Sequence, residues 1–188
     1  MYSARWYEAV ENPFRGTRVR TAMEKVKELQ VPTSKEVETI INKLDIYESS
    51  AASIMAYRGL RAGALPALEK KGGRYYGSSK GKALEENGIK GIELPEQCKE
   101  LMKEANLDEK YPYKGIKSNT LEHRIRGGIK KLYKAGEVSY IYSCHDFRHY
   151  YAKEEYERTK DIYRVSKLLS HTSVTITEGY LRSLKVRI

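Results

Sequence analysis

Apolar side chains recur at three- and four-residue spacing through much of the chain. Val37, Ile40, Ile41 and Leu44 form the first such stripe, which predicts an amphipathic helix. Thr33 and Glu36 open it as a capping box, each side chain meeting the other's backbone donor. A second helix is expected over Ser50 to Arg58, with Ile54, Met55 and Tyr57 inward and Gly59 as its stop. A short helix from Ala64 to Glu69 comes next. The pattern then changes. Gly72-Gly73 leads into the strand-like Arg74-Tyr75-Tyr76, and Gly91-Ile92-Glu93-Leu94-Pro95 closes the segment. The polar stretch between them, Ser78 to Lys90, holds Gly81 and the turn Asn87-Gly88. This predicts a small antiparallel sheet with a long hairpin.

Beyond Pro95 the helical period returns. Glu96 to Ala105 is one helix, and Leu107 to Lys117 is a loop containing Pro112. Thr120 to Ala135 is amphipathic, with Leu121, Ile125, Ile129, Leu132 and Tyr133 on one face and Gly136 beyond its end. Arg124, Arg126, Lys130, Lys131 and Lys134 crowd the rest of its surface. Such a face suits a nucleic-acid groove, though a charge run also suits plain solvent. His145 opens a helix to about Lys160. Ile162, Val165, Leu168 and Leu169 make a short one, Ser170 to Ser173 break it, and a last helix from about Thr175 carries Tyr180. The fold class expected is mainly α with a small antiparallel β-sheet, an α+β arrangement.

The 188 residues suffice for one domain with a real core and a short appendage. Hydrophobic residues make up 40% and no apolar run approaches the ~20 residues of a membrane helix. With no signal peptide either, the expected place is the cytoplasm, with no membrane partner. Cys98 and Cys144 lie far apart and form no metal-ligand spacing, which fits two reduced structural thiols. The formal charge of +10 favours a polyanionic partner. The break Asn12-Pro13-Phe14-Arg15-Gly16 and the basic run of Arg15, Arg18, Arg20, Lys25 and Lys27 set residues 1–30 apart. They read equally as a basic linker leaving a preceding structure or as a disordered arm, with the domain proper at 31–188.

The chemistry concentrates late in the chain. His145-Asp146-Phe147-Arg148-His149 is followed by Leu168-Leu169-Ser170-His171 and then Tyr180. Helical spacing puts His145 and Arg148 on one side. Splitting a phosphodiester without a metal needs an in-line nucleophile, fixed cations on the non-bridging oxygens and a proton for the leaving oxygen. A phenol can attack and leave again, and arginine's planar fork matches phosphate.

These motifs resemble those of the tyrosine recombinase, or phage integrase, family. The spacings Arg148 to His171 and His171 to Tyr180 look like the family's own. Tyr57-Arg58-Gly59-Leu60-Arg61 looks like its Gly-Leu-Arg segment, and Ser79-Lys80-Gly81 falls in the β-hairpin where the family keeps its lysine. The resemblance spans roughly Val31 to Tyr180 and implies the tyrosine-recombinase catalytic-domain fold. It implies that Tyr180 is the nucleophile linked to a DNA 3′ phosphate and that Arg61 and Arg148 clamp that phosphate. By the same resemblance Lys80, or alternatively Lys82, is the general acid for the 5′ oxygen. His145 is then the base for the tyrosine or a phosphate donor, and His171 is a further phosphate donor.

The resemblance further implies site-specific recombination of double-stranded DNA, integrating or excising a mobile element, by a homotetramer that uses neither metal nor cofactor. Residues 1–30 look like the exit linker of the family's N-terminal DNA-binding domain. Two positions depart from the pattern. Ala64 stands where the family usually has a glutamate, which implies altered support of Arg61, and Ser170 stands where a glycine is common. A type IB topoisomerase or a telomere-resolving enzyme would use the same side chains, and a non-cleaving DNA-binding relative would keep only the surface.

Overall fold

The structure is a computed structural model that describes residues 29–79, 81–86, 88–171 and 173–184. Seven α-helices, one 3-10 helix and three short hairpins are the regular elements of the described residues. Helix α1 (Ser34–Lys43) starts at the expected capping box: the Glu36 N–H meets the Thr33 hydroxyl, and the Thr33 N–H donates to Glu36 Oε2 at 2.9 Å. Glu36 does more than cap. Its other oxygen accepts the N–H and hydroxyl of Ser139 at 2.8 and 2.7 Å and the hydroxyl of Tyr142 at 3.1 Å. Burial works to raise its pKa, but these donors outweigh it and bring it down to about 2. The start of α1 is thereby tied to the loop that leads into the His145 region.

Helix α2 (Ile46–Arg58) is the central element, packed against α1, α3 (Glu96–Glu104), α4 (Ser118–Lys134) and α5 (Cys144–Thr159). It begins four residues before the expected Ser50. The reason lies in its serines. Ser49, Ser50 and Ser53 are buried with Ala51, Ala52, Ile54, Met55 and Ala56. Their hydroxyls donate to the carbonyls of Ile41, Tyr47 and Ser50, and Ser50 also meets the Tyr113 hydroxyl at 2.9 Å. Small side chains with satisfied hydroxyls let four helices approach one, and an apolar-stripe reading passes over such positions.

After α2 comes a 3-10 helix over Ala62–Ala67, two residues earlier than the short helix expected. The expected single long hairpin is instead three in series. β1 (Glu69–Lys71) pairs with β2 (Arg74–Tyr76), β3 (Ser78–Ser79) with β4 (Lys82–Ala83), and β5 (Glu85–Glu86) with β6 (Ile89–Lys90), all antiparallel. A bridge from Tyr75 to Ile92 closes the segment back on its start. Helix α4 buries Leu121, Ile125, Ile129 and Leu132, while Tyr133 is 45% exposed rather than on the apolar face.

The remaining helices are α6 (Ile162–Leu168) and α7 (Val174–Ser183). One apolar cluster joins α1 to α4 with the front of α5; a second joins the back of α5 to Val165, Leu169, Leu181 and Leu184. Helix α5 belongs to both, and the candidate site sits at that seam. The basic segment expected at 1–30 falls, but for its last two residues, outside the described residues, as does the tail from Lys185.

Candidate active site at the seam

Arg148 is 4% exposed and reaches both sides of the seam. One terminal nitrogen donates to the Gly59 carbonyl, the other to the Leu169 carbonyl. Of a guanidinium's five N–H donors, two are spent this way and three are left for a ligand. Burial, then the neighbouring charge of Arg61, lowers its pKa to about 10, so it stays charged at neutral pH. Two guanidiniums held close in a half-dry cleft repel each other, and an anion between them relieves that repulsion.

Gly59 makes this arrangement possible. It caps α2 with φ of +63°, and a Cβ there would stand 2.3 Å from the Tyr151 ring. Gly59→Ala is therefore expected to cost about 3 kcal/mol, from a left-handed backbone and a clash with a packed ring. Thermal denaturation should show a midpoint lower by roughly 6–12 °C. An unchanged midpoint would mean that Tyr151 moves aside freely.

Tyr180 lies on α7, its ring between two imidazoles. His149 stacks on it, centroids 4.6 Å apart at 28°, and His171 meets it edge-on at 5.7 Å. The Tyr180 hydroxyl is buried and has no hydrogen-bond partner among the described residues. Burial raises the phenol's pKa above its ordinary value, and the charges of Arg148 and Arg61 pull the other way. A buried hydroxyl without a partner is costly, so its position calls for a reason.

His171 is presented by the turn after α6. The Ser170 N–H bonds the Lys167 carbonyl and the His171 N–H the Ser166 carbonyl, both near 3 Å, which is a Schellman ending. Ser170 there has φ of +52°, the conformation that explains why a glycine is favoured at this place. The His171 ring is oriented by Thr177, whose hydroxyl is 2.8 Å from Nδ1. If that hydroxyl donates, Nε2 carries the hydrogen and is a donor. His145 stands exposed on the first turn of α5, edge-on to His149 at 4.7 Å. Ser143 caps that turn, its N–H and hydroxyl both donating to Asp146 Oδ2 at 2.6 and 2.8 Å.

Arg61, His145, Arg148, His171 and Tyr180 thus share one electrostatic neighbourhood. Lys82 joins it, since its charge acts on His171 and both line an open cleft of about 750 Å³ between the hairpins and α6. Lys80 lies outside the described residues. Ala64, buried in the 3-10 helix, places no carboxylate beside Arg61. His149 and Thr177 were not singled out from sequence. A histidine four positions from His145, and a polar residue three before Tyr180, share faces with them, and that was the available signal. Among the described residues no group of three His, Cys, Asp or Glu is placed to hold a metal ion, and no helix is long and apolar enough to cross a membrane. Both cysteines are buried, and burial pushes the thiols up to about 11 for Cys98 and about 12 for Cys144.

Burial lowers both His149 and His171 to about 4. The charge of His145 adds to the effect at His149, and those of Arg148 and Arg61 at His171. Each folded pKa lies below the unfolded value near 6.5, so the unfolded chain binds more protons between these limits. Stability should be full above about pH 6.5 and decline as pH falls towards 4. The buried His149 should contribute about 2 kcal/mol to that decline. Thermal melts between pH 7 and 4.5 should show it, and His149→Gln should flatten the slope. Equal slopes for the two proteins would remove His149 from the account.

The architecture is that of the tyrosine recombinase catalytic domain. Among solved structures, an XerA recombinase is 21% identical with a TM-score of 0.63, covering 84% of this chain and 63% of its own. A lambda integrase dimer bound to a COC′ core site is 19% identical with a TM-score of 0.62, covering 92% and 53%. An XerH site-specific recombinase in a post-cleavage complex with its palindromic difH substrate is 16% identical with a TM-score of 0.59, covering 87% and 52%. The chain therefore spans between about half and just under two thirds of the length of these structures. By sequence comparison, no family model and no curated protein matches.

Proposed function

We propose that this chain is the catalytic part of a site-specific DNA recombinase that cuts and rejoins strands through a 3′-phosphotyrosine. The observation that carries the reading is the buried Tyr180 hydroxyl, without a hydrogen-bond partner among the described residues and within reach of the charges of Arg148 and Arg61. The Tyr180 oxygen attacks phosphorus, the bond to the 5′ oxygen breaks, and the strand's 3′ phosphate stays on the protein. Arg61 and Arg148 meet the charge that builds on the non-bridging oxygens. Lys80, or Lys82, gives the leaving oxygen its proton. His145 takes the phenolic proton or donates to phosphate, and His171 donates a further hydrogen bond.

A free 5′ hydroxyl from a partner duplex then reverses the step, so bond energy is conserved and neither metal nor cofactor is called for. Double-stranded DNA is the partner, met by the basic chain. A homotetramer on two duplexes, serving integration or excision of a mobile element, completes the reading, with residues 1–30 as the linker to a further DNA-binding domain. The recombinase and integrase complexes with DNA to which the fold is similar support it.

A covalent-trapping assay tests this. Labelled duplex carrying the ends of a neighbouring element, nicked so that the cut strand is lost, is mixed with the protein in EDTA. A labelled band that survives SDS is expected. Folded, DNA-bound protein that yields no such band would sink the proposal.

A further inference from the structure

A carboxylate in the third hairpin is tied to the end of α2, beside the phosphate clamp. Glu86 Oε1 meets an Arg58 terminal nitrogen at 2.8 Å. Its Oε2 accepts the Glu93 N–H at 3.1 Å, with Arg74 of β2 at 3.7 Å. Arg74 in turn donates to the Gly91 carbonyl at 2.7 Å and to Glu93 at 2.8 Å. The cluster is largely shielded, the Arg58, Glu86 and Arg74 side chains being 15%, 21% and 21% exposed. Burial works to raise the Glu86 pKa, but the Arg58 hydrogen bond, the Glu93 N–H and both arginine charges outweigh it, and the net shift is downward. Glu86 is thus a carboxylate at neutral pH.

Its location gives the cluster a use. Arg58 is the last residue of α2; Gly59, which holds Arg148, comes next, and Arg61 two later. Glu86 lies four residues beyond Lys82, across β4 and β5. Hairpins with two-residue strands hold no fixed place on their own. A general acid, however, must stand within hydrogen-bond reach of its oxygen, and an error near 1 Å costs about 10²-fold. Something must register the lysine-bearing hairpin against the clamp.

We propose that Glu86 is a positioning residue for proton delivery to the leaving 5′ oxygen, holding the lysine-bearing hairpins against the Arg61–Arg148 clamp through Arg58 and Arg74. This rests on the phosphotyrosine mechanism proposed for Tyr180. In that step the Tyr180 phenol gives its proton to His145 as base, the Tyr180 oxygen–phosphorus bond forms and the phosphorus–O5′ bond breaks. The lysine ammonium gives one proton to O5′, leaving a neutral amine and a free 5′ hydroxyl. With sulfur in place of O5′ the thiolate leaves without a proton, because a thiol is far more acidic than an alcohol.

The test compares nicked DNA carrying O5′ or S5′ at the scissile position, with wild type, Glu86→Gln, Glu86→Asp and Tyr180→Phe. Wild type should form adducts on both substrates and Tyr180→Phe on neither. A wild type that reacts with neither overturns the parent reading, and this inference with it. Given that control, Glu86→Gln should react about 10²-fold slower on O5′ and within about threefold of wild type on S5′. Glu86→Asp, which keeps the charge on a shorter arm, should lose less on O5′ and regain it on S5′. An unimpaired O5′ rate for Glu86→Gln overturns the inference, as does an equal loss on both substrates. If Glu86→Gln does not fold, the Asp variant is read by the same two criteria.

Discussion

Tyr180→Phe should abolish covalent adducts while making the protein slightly more stable. The chemical half rests on the nucleophile being the atom removed, and the loss should exceed about 10⁴-fold, as when other nucleophiles are deleted. The stability half rests on the environment. The hydroxyl is buried without a partner among the described residues, so the folded state bears its desolvation with no bond from them in return. Phenylalanine keeps the ring between His149 and His171 and removes that penalty. A gain of about 1 kcal/mol is expected, or a melting midpoint higher by about 2–4 °C. DNA binding by gel shift should match wild type. Residual SDS-resistant adduct would move the nucleophile elsewhere, and a lower midpoint would show that the hydroxyl has a partner in solution. A hydroxyl that serves chemistry at the expense of stability should show both effects together; an ordinary core tyrosine would show neither.

How far the fold was legible depended on where the burial pattern is simple. Helices α1 and α3 to α7 were legible, falling within about two residues of expectation, although α5 buries side chains on more than one face. The start of α2 was not, because a helix enclosed on four sides has no polar face, and its buried serines imitate one. The hairpins depart from expectation for the opposite reason. Glu69, Lys70 and Lys71 form β1 although charged, since backbone pairing with β2 and ion pairs with Glu109 and within the strand carry them. Tyr133 fits the apolar period of α4 by spacing, yet it is left exposed while its neighbour Leu132 takes the buried place at that end of the helix.

The candidate site was legible in the side chains that the fold brings together and opaque in their supports. Arg148, His171 and Tyr180 stand at telling spacings, but what orients them is not written in spacing. Two backbone carbonyls, one before Arg61 and one before Ser170, fix Arg148, and carbonyls are common to every sequence. Thr177 orients His171 through a single hydroxyl, and His149 enters as a ring face rather than a charge. Ser170 is the instructive case. Its departure from glycine reads as mild in sequence, and the structure shows the backbone keeping the left-handed turn regardless.

Arg148→Lys should then be the most damaging change that keeps the charge. Lysine offers one compact ammonium on a flexible stem, which cannot satisfy the Gly59 and Leu169 carbonyls across the seam and still present a fork to phosphate. Losing a transition-state donor of this kind costs about 10²–10³ in rate, so adduct formation should fall at least that far. Leaving one of two buried carbonyls without its donor should cost a further 1–3 kcal/mol or so of stability. The two losses have different remedies. Work at lower temperature restores folded protein but not the rate, because geometry is what the chemistry lacks. Single-turnover adduct formation at matched folded fraction therefore separates them. A lysine variant that cleaves like wild type under those conditions would remove Arg148 from the clamp. One that only unfolds more readily would reduce it to the staple that joins α2 to α6.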